Sequence, residues 1–175
     1  VPIKQTGLLL VKGPNVMLGY PNPVRNNVSN GVNISDKTKE VLHDGWYNTG
    51  DIACLDEDGF ITITDRLSRF SKIGGEMVPH VKIEDTLHEL ACATQQTFAV
   101  TAIPDERKGE KLVVLYTCDD EILKEVLDKL PTSGLPNLWL PKSDNFKKIE
   151  SIPVLGTGKL DLRQIKQLAL SSTTI

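Results

Sequence analysis

The 175-residue sequence has no excess of positive charge, since 20 Lys and Arg stand against 23 Asp and Glu. Without that excess, and without a dense basic stripe, a general attraction to nucleic-acid phosphates or anionic lipid is not expected. Long apolar runs are also missing. Leu8 to Val11 and Leu112 to Tyr116 are strand-sized, well short of the ~20 residues of a membrane-crossing helix, so no direct membrane insertion is expected of this segment. The three cysteines, Cys54, Cys92 and Cys118, form no C-x-x-C pair, which points to reduced thiols in a cytosolic compartment. His88 and Cys92 would share a helix face, but two ligands fall short of a zinc site, and no metal is assigned. No charged region followed by an apolar one trails Val1-Pro2, so no signal peptide is read there, and a start on valine has the look of a cut. Asn27 and Asn33 match the glycosylation pattern, which carries little weight in a cytosolic protein.

What is present is an ordinary globular composition, 39% hydrophobic and 25% charged, in a chain long enough to bury about 70% of its unfolded surface. From Gly7 to about Thr64, short apolar runs broken by turns predict strands at Leu8 to Val11, Val16 to Leu18, Ile52 to Leu55 and Phe60 to Thr64. Asp56-Glu57-Asp58-Gly59 reads as a hairpin turn rather than a calcium loop, because Cys54 stands where the first oxygen ligand would be needed. After Asp65 the period changes. Pro79 can open a helix through Leu90, Phe98 to Ile103 and Leu112 to Tyr116 read as buried strands, and Asp120 to Leu130 and Asp161 to Leu170 read as amphipathic helices. Their predicted apolar stripes are Ile122, Val126, Leu127 and Leu130, and Leu162, Ile165, Leu168 and Ala169. The expected class is α+β: a short β-rich subdomain over residues 1–65, of distorted-barrel type, followed by a small α/β lid domain over residues 66–175.

Four strings carry chemistry: Trp46-Tyr47-Asn48-Thr49-Gly50-Asp51, then Asp65-Arg66, Lys72-Ile73-Gly74-Gly75-Glu76, and Pro153-Val154-Leu155-Gly156-Thr157-Gly158-Lys159. A carboxylate such as Asp51 accepts from both hydroxyls of a vicinal diol, while a turn aspartate capping a backbone amide is the plainer alternative. Arg66 offers a planar fork of donors, or a surface ion pair. A lysine flanked by glycines can approach two anions closely. A P-loop is excluded, because Pro153 stands where its first glycine belongs and Leu160 where its hydroxyl belongs.

In order and spacing these strings resemble the late core motifs of the adenylate-forming superfamily of acyl-CoA synthetases, carrier-protein ligases and luciferases. Gly7-Leu8-Leu9-Leu10 with Gly19-Tyr20 is similar to the preceding motif. Arg66 to Val78 most resembles the synthetase part of bacterial 2-acylglycerophosphoethanolamine acyltransferase / acyl-[acyl carrier protein] synthetase. The resemblance implies that Tyr47, Asp51 and Arg66 meet the ATP or AMP nucleotide, with Asp51 on its ribose. It implies that Lys159 is catalytic in adenylation, that Ser68 sits at the hinge of a swinging small domain, and that Gly74 and Gly75 admit a pantetheine arm. The implied parent is an ATP-dependent fatty-acyl ligase that forms acyl-AMP. It passes the acyl group to the pantetheine thiol of acyl carrier protein or CoA, and a lysophospholipid is a further acceptor the resemblance admits. Such a parent would be cytoplasmic, with room for association with the inner membrane.

Several positions depart from the family pattern. Ser68 replaces the usual Asp or Lys, Leu8 an acidic residue, and Gly74 a residue often basic; a bulged strand is an alternative use of Gly74-Gly75. No Gly- and Ser/Thr-rich phosphate loop, adenine pocket or acyl tunnel is present, so Mg-ATP would be held mainly by other parts of the parent and this segment alone should be inactive. A non-catalytic module that binds carrier protein is the second reading.

Overall fold

The computed structural model describes residues 2–21 and 36–171, so Asn27 and Asn33 lie outside the described residues. The chain divides into two compact units, Val1–Ser68 and Arg69–Ile175.

In the first unit β3 (Trp46–Leu55) is the central strand. β1 (Thr6–Val11) pairs antiparallel along one edge, and β2 (Leu42–His43), entered from α1 (Asp36–Val41), shares the other edge with β4 (Ile61–Arg66). Among the described residues this sheet is open, so the barrel-type expectation reduces to a bulged sheet without closure. The turn after β3 forms as its sequence requires. Asp56 Oδ1 accepts from the N–H groups of Asp58 at 3.0 Å and Phe60 at 2.8 Å, while Gly59 takes the positive φ of 87° that branched residues avoid. The strand expected over Val16 to Leu18 does not form. There the Val16 N–H closes a turn onto the Gly13 carbonyl at 3.1 Å, around a proline that has no N–H to give a ladder.

The apolar side chains of this sheet have few neighbours. Leu8 and Leu10 share one face and Leu55, Ile61 and Ile63 the other, because residues opposed across a ladder project together. All five are exposed, and Ala53 is the only hydrophobic residue of the described part of this unit that is fully buried.

The second unit has a conventional core. β7 (Phe98–Asp105) and β8 (Gly109–Tyr116) form an antiparallel hairpin, and β9 (Phe146–Lys148) adds in parallel to β8. Period-two alternation sorts its apolar residues onto two faces. Phe98, Val100, Leu112 and Val114 pack with Ile83 and Leu87 of α2 (His80–Leu90) and Val126 of α3 (Asp120–Lys129). Ala99, Ile103, Val113 and Leu115 pack with Ile165 and Ala169 of α4 (Leu162–Ser171). The α4 stripe is the expected one. In α3 the buried stripe is rotated by one position: Leu123 packs on the core and Ile122 is exposed. Pro79 closes β6 (Glu76–Pro79) and serves as the N-cap of α2 rather than lying in its first turn.

A one-turn 3-10 helix, Leu67–Arg69, leads into the second unit, and β5 (Phe70–Ile73) follows, paired with β6. Four polar residues are buried here. Arg69 Nη2 donates to Glu84 Oε2, Glu84 Oε1 accepts the Val100 N–H at 2.6 Å, and Ser71 Oγ lies 2.5 Å from His80 Nε2. Burial, reinforced by the charges of Arg69 and Lys166, pushes the His80 imidazole down to about 4. Burial pushes the Glu84 carboxyl up, opposed by the hydrogen bond and charge of Arg69. Among the described residues no helix is long and apolar enough to cross a membrane.

Candidate functional site

Between its pairings with Leu10 and Leu8, β3 carries a bulge at Asn48–Ile52. The residues of the string build it. Asn48 Oδ1 accepts the Gly50 N–H at 2.9 Å and Thr49 Oγ1 accepts the Asp51 N–H at 3.0 Å, each side chain bonding the amide two residues on. Gly50 supplies a φ of 73°, and Thr49 also donates to the Leu9 carbonyl at 3.0 Å. The bulge re-aims Asp51, which is the use such irregularities commonly have beside sites. Asp51 stands opposite Arg66 across the ladder, and Arg66 Nε donates to Asp51 Oδ1 at 2.7 Å. The Asp51 side chain is 17% exposed and that of Arg66 63%. A screened carboxylate with a guanidinium fork beside it is thus presented to solvent.

Tyr47 joins this group. Its hydroxyl is 3.4 Å from that of Tyr20, and this contact, with some burial, raises the phenol above its ordinary value of 10, so it is a hydroxyl at neutral pH. Tyr20 is a participant to which the motif assigned no role; its own backbone N–H is held by Thr38 Oγ1 at 2.8 Å. The sequence signal for the bulge was the Asn-Thr pair, each placed two residues before an amide it could accept.

In the second unit, Lys159 lies on a tight hairpin. Val154 and Leu160 form an antiparallel bridge, the Leu155 N–H donates to the Lys159 carbonyl at 2.7 Å, and the Gly158 N–H donates back to the Leu155 carbonyl at 2.8 Å. Gly158 has a φ of 80°, the left-handed residue that completes a three-residue hairpin loop. Asp161 Oδ1 then accepts the N–H groups of Arg163 and Gln164, capping α4 and fixing the base of the hairpin. Lys159 itself is exposed, and its ammonium engages no partner among the described residues. Gly158→Ala should destabilise the second unit by about 1–2 kcal/mol through the left-handed φ alone. Gly156→Ala, with open space around its Cβ position and no positive φ, should be neutral, and urea unfolding of the two variants checks both outcomes.

Gly74 and Gly75 are neither a bulge nor strand interior. They are the two-residue turn joining β5 to β6, with φ of 59° and 93°, a conformation that by itself favours glycine at both positions and admits Asn or Asp at the first. Beside the turn is a cavity of about 550 Å³ walled by Ile73, Leu112 and Leu138, with a rim of mixed charge on which Arg107, Lys108, Lys111 and Lys142 stand beside Asp105, Glu110 and Asp144. Ser68 is exposed, at the last position of the first unit. Both ring nitrogens of His88 serve the fold: Nδ1 is 2.7 Å from the Glu84 carbonyl, and Nε2 accepts the Thr97 and Phe98 N–H groups. Among the described residues no group of three or more His, Cys, Asp or Glu could hold a metal ion.

No family model matches the chain. The mixed α/β fold is that of ATP-bound MatB from Rhodopseudomonas palustris, with a TM-score of 0.71 and 23% identity over 99% of this chain and 32% of that one. Sequence relatives include CoA ligases. Over 168 residues the chain is 32% identical to 2-succinylbenzoate–CoA ligase of Bacillus cereus, covering 96% of this chain and 32% of the relative. Over 169 residues it is 33% identical to long-chain-fatty-acid–CoA ligase of Salmonella typhimurium, covering 94% of this chain and 27% of the relative. The chain therefore spans about a third of the length of the curated relatives it matches.

Proposed function

We propose that this chain is the C-terminal part of an ATP-dependent acyl-activating ligase of the adenylate-forming superfamily. In this reading residues 1–65 end the large adenylating domain and residues 66–175 are its small mobile domain, and the division of the chain into compact units three residues further on, after Ser68, supports a boundary in this stretch. The observation that carries the proposal is Lys159, a lysine on a capped hairpin whose ammonium is unengaged among the described residues. Similarity to CoA ligases along nearly all of this chain supports it.

The reaction runs in two halves. A carboxylate oxygen of the acyl substrate attacks the α-phosphorus of ATP, the bond to pyrophosphate breaks, and acyl-AMP forms. A pantetheine thiol, its proton lost, then attacks the acyl carbonyl and AMP leaves. Asp51 and Arg66 hold the ribose, Tyr47 donates its hydroxyl to the nucleotide, and Lys159 offsets the charge shared between carboxylate and phosphate. Ser68 is the hinge position, and the division of the chain beside it supports that role. The Gly74-Gly75 turn is the approach assigned to the thiol arm, and the cavity beside it has an apolar wall of Ile73, Leu112 and Leu138 against which such an arm can lie. The relatives favour CoA as acceptor, while the run Arg66 to Val78 keeps carrier protein in view, with fatty acid as the acyl substrate and a lysophospholipid as a later acceptor. The parent is assigned to the cytoplasm. The two apolar faces of the first unit's sheet are those of a sheet covered by further protein, which supports inactivity of the segment alone.

In the intact parent, carboxylate-dependent exchange of pyrophosphate into ATP is the test. Asp51→Asn should raise KM for ATP by about 10- to 100-fold, the loss of charge-assisted hydrogen bonds, with kcat changed by less than about 3-fold. No exchange with any fatty acid, together with micromolar binding of acyl carrier protein to this chain, would favour the carrier-binding module instead.

A further inference from the structure

Arg69 is the first residue of the second unit, directly after exposed Ser68, yet it is buried with only 9% of its surface accessible. Its partner Glu84 uses both oxygens: Oε2 takes the guanidinium and Oε1 takes the Val100 N–H at 2.6 Å. One carboxylate thus fastens the entering chain to both α2 and the β7 strand. Two residues on, Ser71 and His80 make a second buried tie between β5 and the first residue of α2. Such a pair is an expensive way to fill space, because apolar residues of the same volume usually serve stability as well or better. Here Arg69 Nη1 is in addition buried without a hydrogen-bond partner among the described residues. What an ion pair supplies and an apolar contact does not is a fixed direction and register.

We propose that the Arg69–Glu84 pair is the fixed end of the hinge, so that backbone freedom stops at Ser68 and Arg69 is a positioning residue for the movement of the second unit. The idea rests on the mobile-domain reading above. β5 runs from this anchor straight into the Gly74-Gly75 turn. If the anchor slips, the pivot migrates into β5 and the turn is no longer held in a set direction. Torsion taken up at Leu67 or Ser68 leaves the turn in place.

Amide hydrogen exchange on the 175-residue chain tests the anchor without reference to activity. In the wild type, the amides of Leu67 and Ser68 should exchange at least about 100-fold faster than those of β5, Phe70–Ile73. Glu84→Gln keeps an acceptor for Val100 but loses the ion pair. It should speed exchange across Phe70–Ile73 by about 10-fold or more, with Val113 to Leu115 within about 2-fold. Should that variant not fold, Arg69→Lys retains the charge with a single-headed donor, and about a 3- to 10-fold increase confined to β5 is expected. Equal exchange on both sides of Ser68 in the wild type, or β5 protection indifferent to either variant, overturns the proposal. In the intact ligase, Arg69→Lys should lower kcat of both half-reactions by about 5-fold or more, leaving KM for ATP within about 2-fold. A parent without ligase activity would refute the assigned function while leaving the exchange result standing. An intact ligase whose half-reactions ignore Arg69→Lys would refute the positioning role alone.

Discussion

Acidification from pH 7 to pH 4 should cost the second unit about 3 kcal/mol of stability through His80 alone, since about two of the 1.36 kcal/mol increments per pH unit are forfeited. The imidazole is 4% exposed, and its folded value is lowered from 6.5 to about 4, first by burial and then by the charges of Arg69 and Lys166. Below pH 6.5 the unfolded chain takes up a proton that the folded chain refuses. The stabilisation is therefore complete above 6.5 and is lost as pH falls through the window down to about 4. Glu84 acts with the opposite sign, because its raised folded value favours the folded state below 4.5 and loses that contribution as pH rises. His80→Asn separates the two, keeping a polar partner for Ser71 without a titrating ring. The chain has two tryptophans, Trp46 in the first unit and Trp139 in the second. In a Trp46→Phe background, urea unfolding followed by Trp139 fluorescence reports on the second unit. The stability of the protein with His80 minus that of its His80→Asn variant should shrink by about 3 kcal/mol between pH 7 and pH 4. A difference that is constant with pH would refute the buried neutral imidazole.

Much of this fold could be read from period and turn chemistry. The stripe Leu162, Ile165, Leu168 and Ala169 named the buried face of α4, and Asp56 with Gly59 named a turn, because each is decided within a few residues. Ile122 shows the limit. A helix stripe can be drawn one position to either side, and what settles it is the surface opposite, here the β7–β8 face that takes Leu123. Gly74-Gly75 between two short strand-like runs carried a two-residue hairpin signal, which the structure bears out. The Asp51–Arg66 contact follows from the turn at 56–59, which folds β4 back on β3 and sets the two residues opposite each other. Arg69 with Glu84 and Ser71 with His80 had no such signature. Pairs separated by 15 and 9 residues have no period, and only the docking of α2 on β5 and β7 makes them neighbours.

The second large effect is expected at Lys159. Adenylation brings two anions together, a carboxylate and the α-phosphate, and a cation aimed at the oxygens that share charge lowers the barrier where the repulsion is greatest. The hairpin is suited to deliver it, with its base fixed by the Asp161 cap and its loop completed by the left-handed Gly158, while the ammonium engages nothing else among the described residues. Lys159→Ala in the intact parent should reduce acyl-AMP formation about 100- to 1,000-fold, or about 3–4 kcal/mol of barrier. Thioester formation has no need of that cation, because pyrophosphate has already departed. With acyl-AMP supplied, it should stay within about 3-fold of wild type.

Single-turnover measurement of the two half-reactions, side by side in wild type and Lys159→Ala, is the most direct test of that assignment. The expected result is pyrophosphate release nearly abolished while acyl transfer from supplied acyl-AMP to the thiol continues. Equal loss of both steps, or pyrophosphate release at the wild-type rate, would contradict a role for Lys159 in adenylation.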